Sequence, residues 1–205
     1  MLLALVAAAI QTAPTASDFF PMEAGMKWTY ESSGDQSGMY EQAIGAPMAY
    51  AGKSLPPLLT ISKGKVVAKT FYEATPSGLY ILGQDPGTPF ERPQPVYQFD
   101  PKGAKWTFDG PSPYEDDKGS GLRMTGESRL IGEREYLGAK YLCLEVKTDT
   151  RIGPTTQVST QFKQTMTFAK GVGMVAMEQS AQFGKRTTKF KVKIVKFEKT
   201  GAMPQ

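Results

Sequence analysis

The 205-residue sequence contains no histidine. This absence excludes the Ser-His-Asp and Cys-His triads, the common zinc sites with histidine ligands, and the most frequent general base of enzymes. A hydrolase without histidine would need two carboxylates that converge in one cleft, and no Asp or Glu is marked by its sequence context. We therefore expect a protein that is not an enzyme, with no catalytic residue and no cofactor.

Cysteine is almost as scarce. Cys143 is the only one, so the chain has no internal disulfide and cannot build a thiolate metal site; we predict no metal. Cys143 lies in the alternating run from Lys140 to Val146, where a small, half-buried residue is a better interpretation than a reactive thiol.

Long apolar runs are confined to the N-terminus. Residues 1–10 are apolar over the length of a signal-peptide core, whereas a bilayer span needs about 20 such residues. Small residues follow up to Ser17, so cleavage is expected between Ala13 and Asp18, although no Lys or Arg precedes the run. We predict a signal peptide over 1–17 and one domain over 18–205, exported to the bacterial periplasm or beyond and not membrane-spanning. The alternative is a buried helix over 1–17.

Helical spacing of apolar residues is absent after residue 17, and alternation with a period of two replaces it. The alternation predicts strands at 27–33, 39–45, 58–62, 65–74, 79–84, 96–99, 104–109, 121–131, 139–149, 158–168 and 174–182, and a last strand after Lys185. Prolines predict an irregular loop over 85–95, and Gly110 to Gly121 is expected to be irregular too. The phase slips at Val195-Lys196 in the last strand, which indicates a β-bulge.

These strands predict an all-β, antiparallel fold of about ten strands. Its sheet would be a curved half-barrel or one part of a sandwich, and it would end in a three-strand meander. One pattern occurs twice, as Gly25–Glu31 and again as Gly103–Asp109, with Lys-Trp-Thr at its centre. Duplication of a β unit and recurrent turn-to-strand chemistry both explain the echo.

Two segments of the sequence resemble an uncharacterised family of secreted bacterial proteins. Residues 18–31 are similar to its Phe-Pro-Leu-x-x-Gly-x-x-Trp-x-Tyr opening, with Met22 in place of Leu, and residues 168–175 are similar to its Gly-Val-Gly-Leu-Val segment. A weaker third match covers 132–141. The resemblance implies an envelope or secreted β protein, with a curved sheet like that of periplasmic lipoprotein carriers. It implies no activity.

The formal net charge of +4 is concentrated near the C-terminus, where residues 185–199 hold seven Lys or Arg and one Glu. A basic end can favour an anionic partner, but lysines on the solvent face of a terminal strand would also protect a sheet edge. Export makes nucleic acid an improbable partner, and we predict none.

A concave apolar sheet without a helix to cover it favours a carrier of a lipid or another apolar ligand. The predicted ligand-binding residues on its inner face are Trp28, Trp106, Phe162, Met166, Phe168 and Met177. The alternative is a structural or protein-interaction module of the bacterial cell envelope, with an envelope protein as its partner.

Overall fold

Fourteen β-strands account for most of the residues that the structure describes. The computed structural model describes residues 13–35, 37–85, 89–112, 120–153 and 160–199. A 3-10 turn, Ala16–Phe19, precedes the strands. The strands are β1 (Met26–Gly34), β2 (Gly38–Ile44), β3 (Met48–Tyr50), β4 (Lys53–Leu55), β5 (Pro57–Ser62), β6 (Lys65–Thr75), β7 (Gly78–Asp85), β8 (Pro89–Gln98), β9 (Ala104–Pro111), β10 (Gly121–Tyr136), β11 (Ala139–Gly153), β12 (Thr160–Ala169), β13 (Gly173–Phe183) and β14 (Arg186–Lys199).

Twelve of these strands form one antiparallel, nearly closed barrel-like sheet. Within this sheet each strand pairs with the next strand of the sheet along the chain, except at β8 and β9, and β3 and β4 form a separate hairpin between β2 and β5. The first strand, β1, pairs with the last, β14, from Met26 opposite Lys199 to Gly34 opposite Phe190. The two ends of the sheet, β8 and β9, are consecutive in sequence and carry no ladder between them. The predicted all-β, antiparallel, curved fold is confirmed, although the strands number fourteen rather than about ten.

The C-terminal meander is present as β12, β13 and β14. Lys196 lies opposite Thr29 and Ile194 lies opposite Tyr30, so Val195 is the extra residue of a bulge, as the phase slip predicted. Lys189 and Lys191 lie on the solvent face, also as predicted. Their suggested role in protecting a sheet edge is wrong, because β14 is paired on both sides.

The irregular loop predicted over 85–95 is also wrong, since β8 begins at Pro89. Proline lacks an N–H group and is tolerated in a strand that has no partner on one side. β8 is such an edge strand, so the unpaired side of the ladder accepts the prolines at 93 and 95. The irregular segment predicted over 110–121 falls largely outside the described residues.

The 3-10 turn is hydrogen-bonded to three separate parts of the chain. The Ala16 N–H donates to the carbonyl of Pro76 after β6 at 3.0 Å, and the Ala16 carbonyl accepts a hydrogen bond from Tyr97 Oη of β8 at 2.9 Å. The Gly171 N–H, between β12 and β13, donates to the Asp18 carbonyl at 2.7 Å. Ala16 and Phe19 are fully buried, so this turn is part of the core.

The repeated sequence pattern occupies corresponding places in the barrel. β1 and β9 are each the first of six sequential strands in the large sheet, and each carries its tryptophan, Trp28 or Trp106, two residues after the strand begins. Both tryptophans belong to one buried cluster. The equivalence fits duplication of a six-stranded unit, which stays a prediction beside recurrent turn-to-strand chemistry.

Candidate ligand-binding groove

A cavity of about 950 Å³ crosses β9 to β14 on the polar face of the sheet. Two neighbouring rows of outward-pointing residues line it, one residue from each strand in each row. The first row contains Lys105, Glu127, Lys147, Thr165, Glu178 and Lys191, and the second contains Thr107, Thr125, Asp149, Lys163, Ser180 and Lys189. Strands lie about 4.8 Å apart, so six strands make a groove about 24 Å long.

The floor of the groove is the backbone of the row between these two. Trp106, Gly126 and Thr148 belong to that middle row and line the cavity. The side chains of Trp106 and Thr148 are nevertheless buried, because alternate residues of a strand point to opposite faces. We call this cavity the outer groove; it opens on the hydrophilic side of the barrel and not on its apolar side.

Charges in the outer groove are mixed, with lysine in excess. Five lysines and three carboxylates line it. Lys191 pairs with Glu178 at 2.7 Å, and Lys147 lies 3.4 Å from Glu145 just outside the groove. The remaining lysines, Lys105, Lys163 and Lys189, make no ion pair within the described ranges of the chain. Three ammonium groups are therefore free to meet a ligand, and Lys163 and Lys189 belong to the same row.

Two carboxylates of the groove are already engaged by protein groups. Glu178 has the ion pair with Lys191, and Asp149 accepts two hydrogen bonds from the Gln161 amide at 2.8 and 2.9 Å. Arg151 approaches Asp149 to 3.5 Å. These partners hold the carboxylates in place and leave their remaining lone pairs available to hydroxyl donors.

The six residues predicted to bind an apolar ligand all belong to the inner face. Trp28, Trp106, Met166 and Phe168 are buried in the main core cluster, and Met177 packs partly buried against it. Phe162 packs instead against a smaller cluster of Leu122, Met124 and Ile152. The structure thus places the six on one face, and only Trp106 lines the outer groove. Their role in ligand binding stays a prediction.

The alternating sequence pattern could not reveal the outer groove, because its lysines and threonines occur in the same pattern as the solvent-facing residues of any half-buried strand. Only the register shows that Lys163 and Lys189 share a row, both opposite Ser180 on β13. The excess of Lys and Arg over residues 185–199 was the one usable signal.

Buried titratable groups of the core are kept neutral. Burial raises the pKa of Tyr40 and of Tyr72 to about 12, and it raises the pKa of Tyr30 and Tyr97 well above the ordinary value. Cys143 is fully buried, and its burial raises the pKa of the thiol. A protonated, inaccessible thiol is not a nucleophile, so Cys143 has a packing role.

The fold and the groove together define a twelve-stranded, up-and-down β protein with a polar groove across six of its strands. In fold it is similar to a "putative lipoprotein" from Parabacteroides distasonis, with a TM-score of 0.49 and 10% identity over 91% of this chain and 100% of that one. It is also similar to a "putative exported protein with YmcC-like fold" from Bacteroides fragilis, with a TM-score of 0.44 and 10% identity over 88% and 99% of the two chains.

No protein-family model matches the sequence, and no curated protein matches it. Membership in the secreted family that the opening residues resemble therefore stays a prediction. Within the described segments, no helix has the length and apolar character needed to cross a membrane.

Proposed function

We propose that this protein is an exported, non-catalytic binding protein that holds a segment of acidic polysaccharide in its outer groove. The observation that carries the proposal is a set of three lysines, Lys105, Lys163 and Lys189, which line a cavity of about 950 Å³ and have no ion pair with any described residue. A groove that crosses six strands suits an extended chain better than a compact metabolite. Binding rather than catalysis is supported by the absence of histidine from the sequence.

The mixture of charges favours a polysaccharide over a uniform polyanion. Glu127, Asp149 and Glu178 would repel a chain that carries an anion at every unit, such as polyglutamate. The same carboxylates accept hydrogen bonds from sugar hydroxyls, while lysines pair with the acidic groups of the sugar. The hydroxyls of Thr107 and Ser180 add donors and acceptors of the same kind.

The proposal is tested by calorimetric titration of the protein with hyaluronate, which carries a carboxylate on every second sugar, and with neutral dextran as the reference polymer. The variant Lys163→Gln/Lys189→Gln removes two charges from one row of the groove. Surface ion pairs contribute about 0.2–1 kcal/mol each, so the double variant should bind about tenfold more weakly. Added salt should weaken wild-type binding, because exposed charges are screened.

A matched control is Lys65→Gln/Lys140→Gln. Both lysines are exposed on strands, and neither lines the outer groove. This control makes the same change in net charge and should bind as the wild type does. Equal losses in both double variants would show that net charge alone attracts the polymer, and tighter binding of polyglutamate than of hyaluronate would favour an acidic protein partner of the envelope.

Transport of a lipid or another apolar ligand is the second candidate function. It is favoured by Phe183, which is 47% exposed at the end of β13 and makes an edge contact with Phe162 at 5.9 Å between ring centroids. An apolar ligand entering the inner face would meet this pair first. Native mass spectrometry of the protein purified from its own host tests it: a retained lipid supports the carrier, and a clean apo mass contradicts it.

A further inference from the structure

A row of residues with several polar side chains crosses the inner face. Trp106, Gly126, Thr148, Gln164 and Gln179 lie side by side on β9 to β13. The rows that flank them on β12 and β13 hold apolar residues instead, such as the Met166–Met177 pair. Burying a polar group costs free energy unless it finds a hydrogen-bond partner, so each member of this row needs one.

The two glutamines are bonded to each other, because the Gln164 amide N–H donates to Gln179 Oε1. Trp106 and Thr148 differ from them. Their side chains are only 6% and 7% exposed, and neither Trp106 Nε1 nor Thr148 Oγ1 has a hydrogen-bond partner among the described residues. The other tryptophan shows the normal arrangement, since Trp28 Nε1 donates to the Val172 carbonyl at 2.6 Å.

Gly126 brings these two polar atoms to the same place. The Trp106 ring lies directly over Gly126, where a Cβ would stand 2.2 Å from ring atoms Cε2 and Cζ2 and 2.7 Å from Nε1. Thr148 is the neighbour of Gly126 on the other side, on β11. The indole N–H donor lies over Gly126 and the threonine hydroxyl belongs to the next residue of the same row, so the two groups are neighbours with no side chain of Gly126 between them.

The indole N–H can only donate, whereas the hydroxyl can donate or accept. One oxygen atom that accepts from Trp106 and exchanges a hydrogen bond with Thr148 would satisfy both groups. We propose that Trp106 and Thr148 form a binding site for one such oxygen, supplied by a buried water or by the hydroxyl or carbonyl at the polar end of an apolar ligand. Both sources use the same two contacts, and a buried water commonly makes about three hydrogen bonds of this kind.

Nuclear magnetic resonance of ¹⁵N-labelled indole groups tests the site, because the chain has two tryptophans. Trp106→Phe assigns the two signals, and Trp28 serves as the internal reference bonded to a protein carbonyl. If water is the source, the Trp106 N–H should show a cross-peak to a long-lived water that the Trp28 N–H lacks. If a ligand is the source, the Trp106 signal should move when the protein is extracted with organic solvent, and the Trp28 signal should stay.

Two variants of β11 separate this site from general packing. Thr148→Val keeps the side-chain shape and removes the hydroxyl, so the Trp106 N–H should exchange with solvent at least several-fold faster. Thr150→Val is the control, since Thr150 is on the same face and also 7% exposed. Equal effects of the two variants would overturn the proposal. A Trp106 signal at the position of a free indole, with neither cross-peak nor response to extraction, would overturn it as well.

Discussion

The indole Nε1 of Trp28 donates a 2.6 Å hydrogen bond to the carbonyl oxygen of Val172, 144 residues away in the sequence. The bond joins the first strand to the connection between β12 and β13. Beside it, Tyr30 Oη donates to the Met174 carbonyl at 2.9 Å. Two side chains of β1 thus satisfy backbone oxygens on a part of the barrel with which β1 has no ladder.

We expect Trp28→Phe to be markedly more destabilising than Trp106→Phe. Both substitutions remove a similar apolar area, but the first also leaves the buried Val172 carbonyl without its donor, at a cost of about 1–3 kcal/mol. Urea denaturation of the two variants measures the difference in free energy of unfolding. Equal losses would mean that the Val172 carbonyl gains nothing from the bond.

We expect the exported protein to begin at or before Thr15, within the window of Ala13 to Asp18 given by the small residues. Ala16 is fully buried and is hydrogen-bonded through both its N–H and its carbonyl. Cleavage on the C-terminal side of Ala16 would remove this residue and both of its hydrogen bonds. The intact mass of the secreted form locates its first residue, and a protein that starts at Asp18 and melts at the same temperature as one that starts at Pro14 would contradict this expectation.

Gly126→Ala should destabilise the protein by about 1–3 kcal/mol, since its Cβ would overlap the Trp106 ring and force a shift in the core. Gly121→Ala, on the same strand, is the matched control, because the nearest atoms to its Cβ lie 3.9 Å away. Thermal melting compares the two. Restoration of stability by adding Trp106→Phe to Gly126→Ala would identify the ring as the source of the clash.

Alkaline pH should unfold the protein through its tyrosines. In the unfolded chain a phenol has a pKa of about 10, whereas burial raises the pKa of Tyr40 and Tyr72 to about 12 in the folded chain. The folded state thus holds these protons more tightly, so the free energy of unfolding should be level below about pH 9 and should fall as pH rises through about 10 to 12.

Denaturant titrations at several pH values measure this fall, and ultraviolet absorbance of tyrosinate follows the ionisation. Tyr40→Phe removes one of the groups and should make the fall shallower. A free energy of unfolding that stays level to about pH 12 would contradict the burial of these phenols.

Strand positions were predictable because alternation is a local property. Every predicted strand corresponds to a strand of the structure, and even the bulge at Val195 shows as a slip in phase. The hairpin of β3 and β4 was missed, since three residues per strand are too few for a period of two to show. The prolines of β8 led to the wrong prediction of a loop. A strand can contain them only if it is an edge strand, and whether β8 is one depends on the whole sheet.

The closure of the barrel and the outer groove were not predictable from the sequence. Both depend on which strands are neighbours and in what register, and the pairing of Met26 with Lys199 has no local signature. The inner-face residues were predictable as a set because apolar residues alternate. The sequence could not show that Trp106 Nε1 and Thr148 Oγ1 lack hydrogen-bond partners among the described residues. That property depends on the strand register, which places Gly126 between the two residues.

The pairing of β1 with β14 sets the timing of folding. A chain delivered from its N-terminus, by a ribosome or through a membrane, presents β1 long before β14 arrives. During that interval one edge of β1 keeps unpaired N–H and C=O groups, which are a template for pairing with other chains. Folding is therefore completed only by the last strand. Because β14 lies between β1 and β13, its loss would split the sheet and expose two aggregation-prone edges, rather than shorten the barrel slightly.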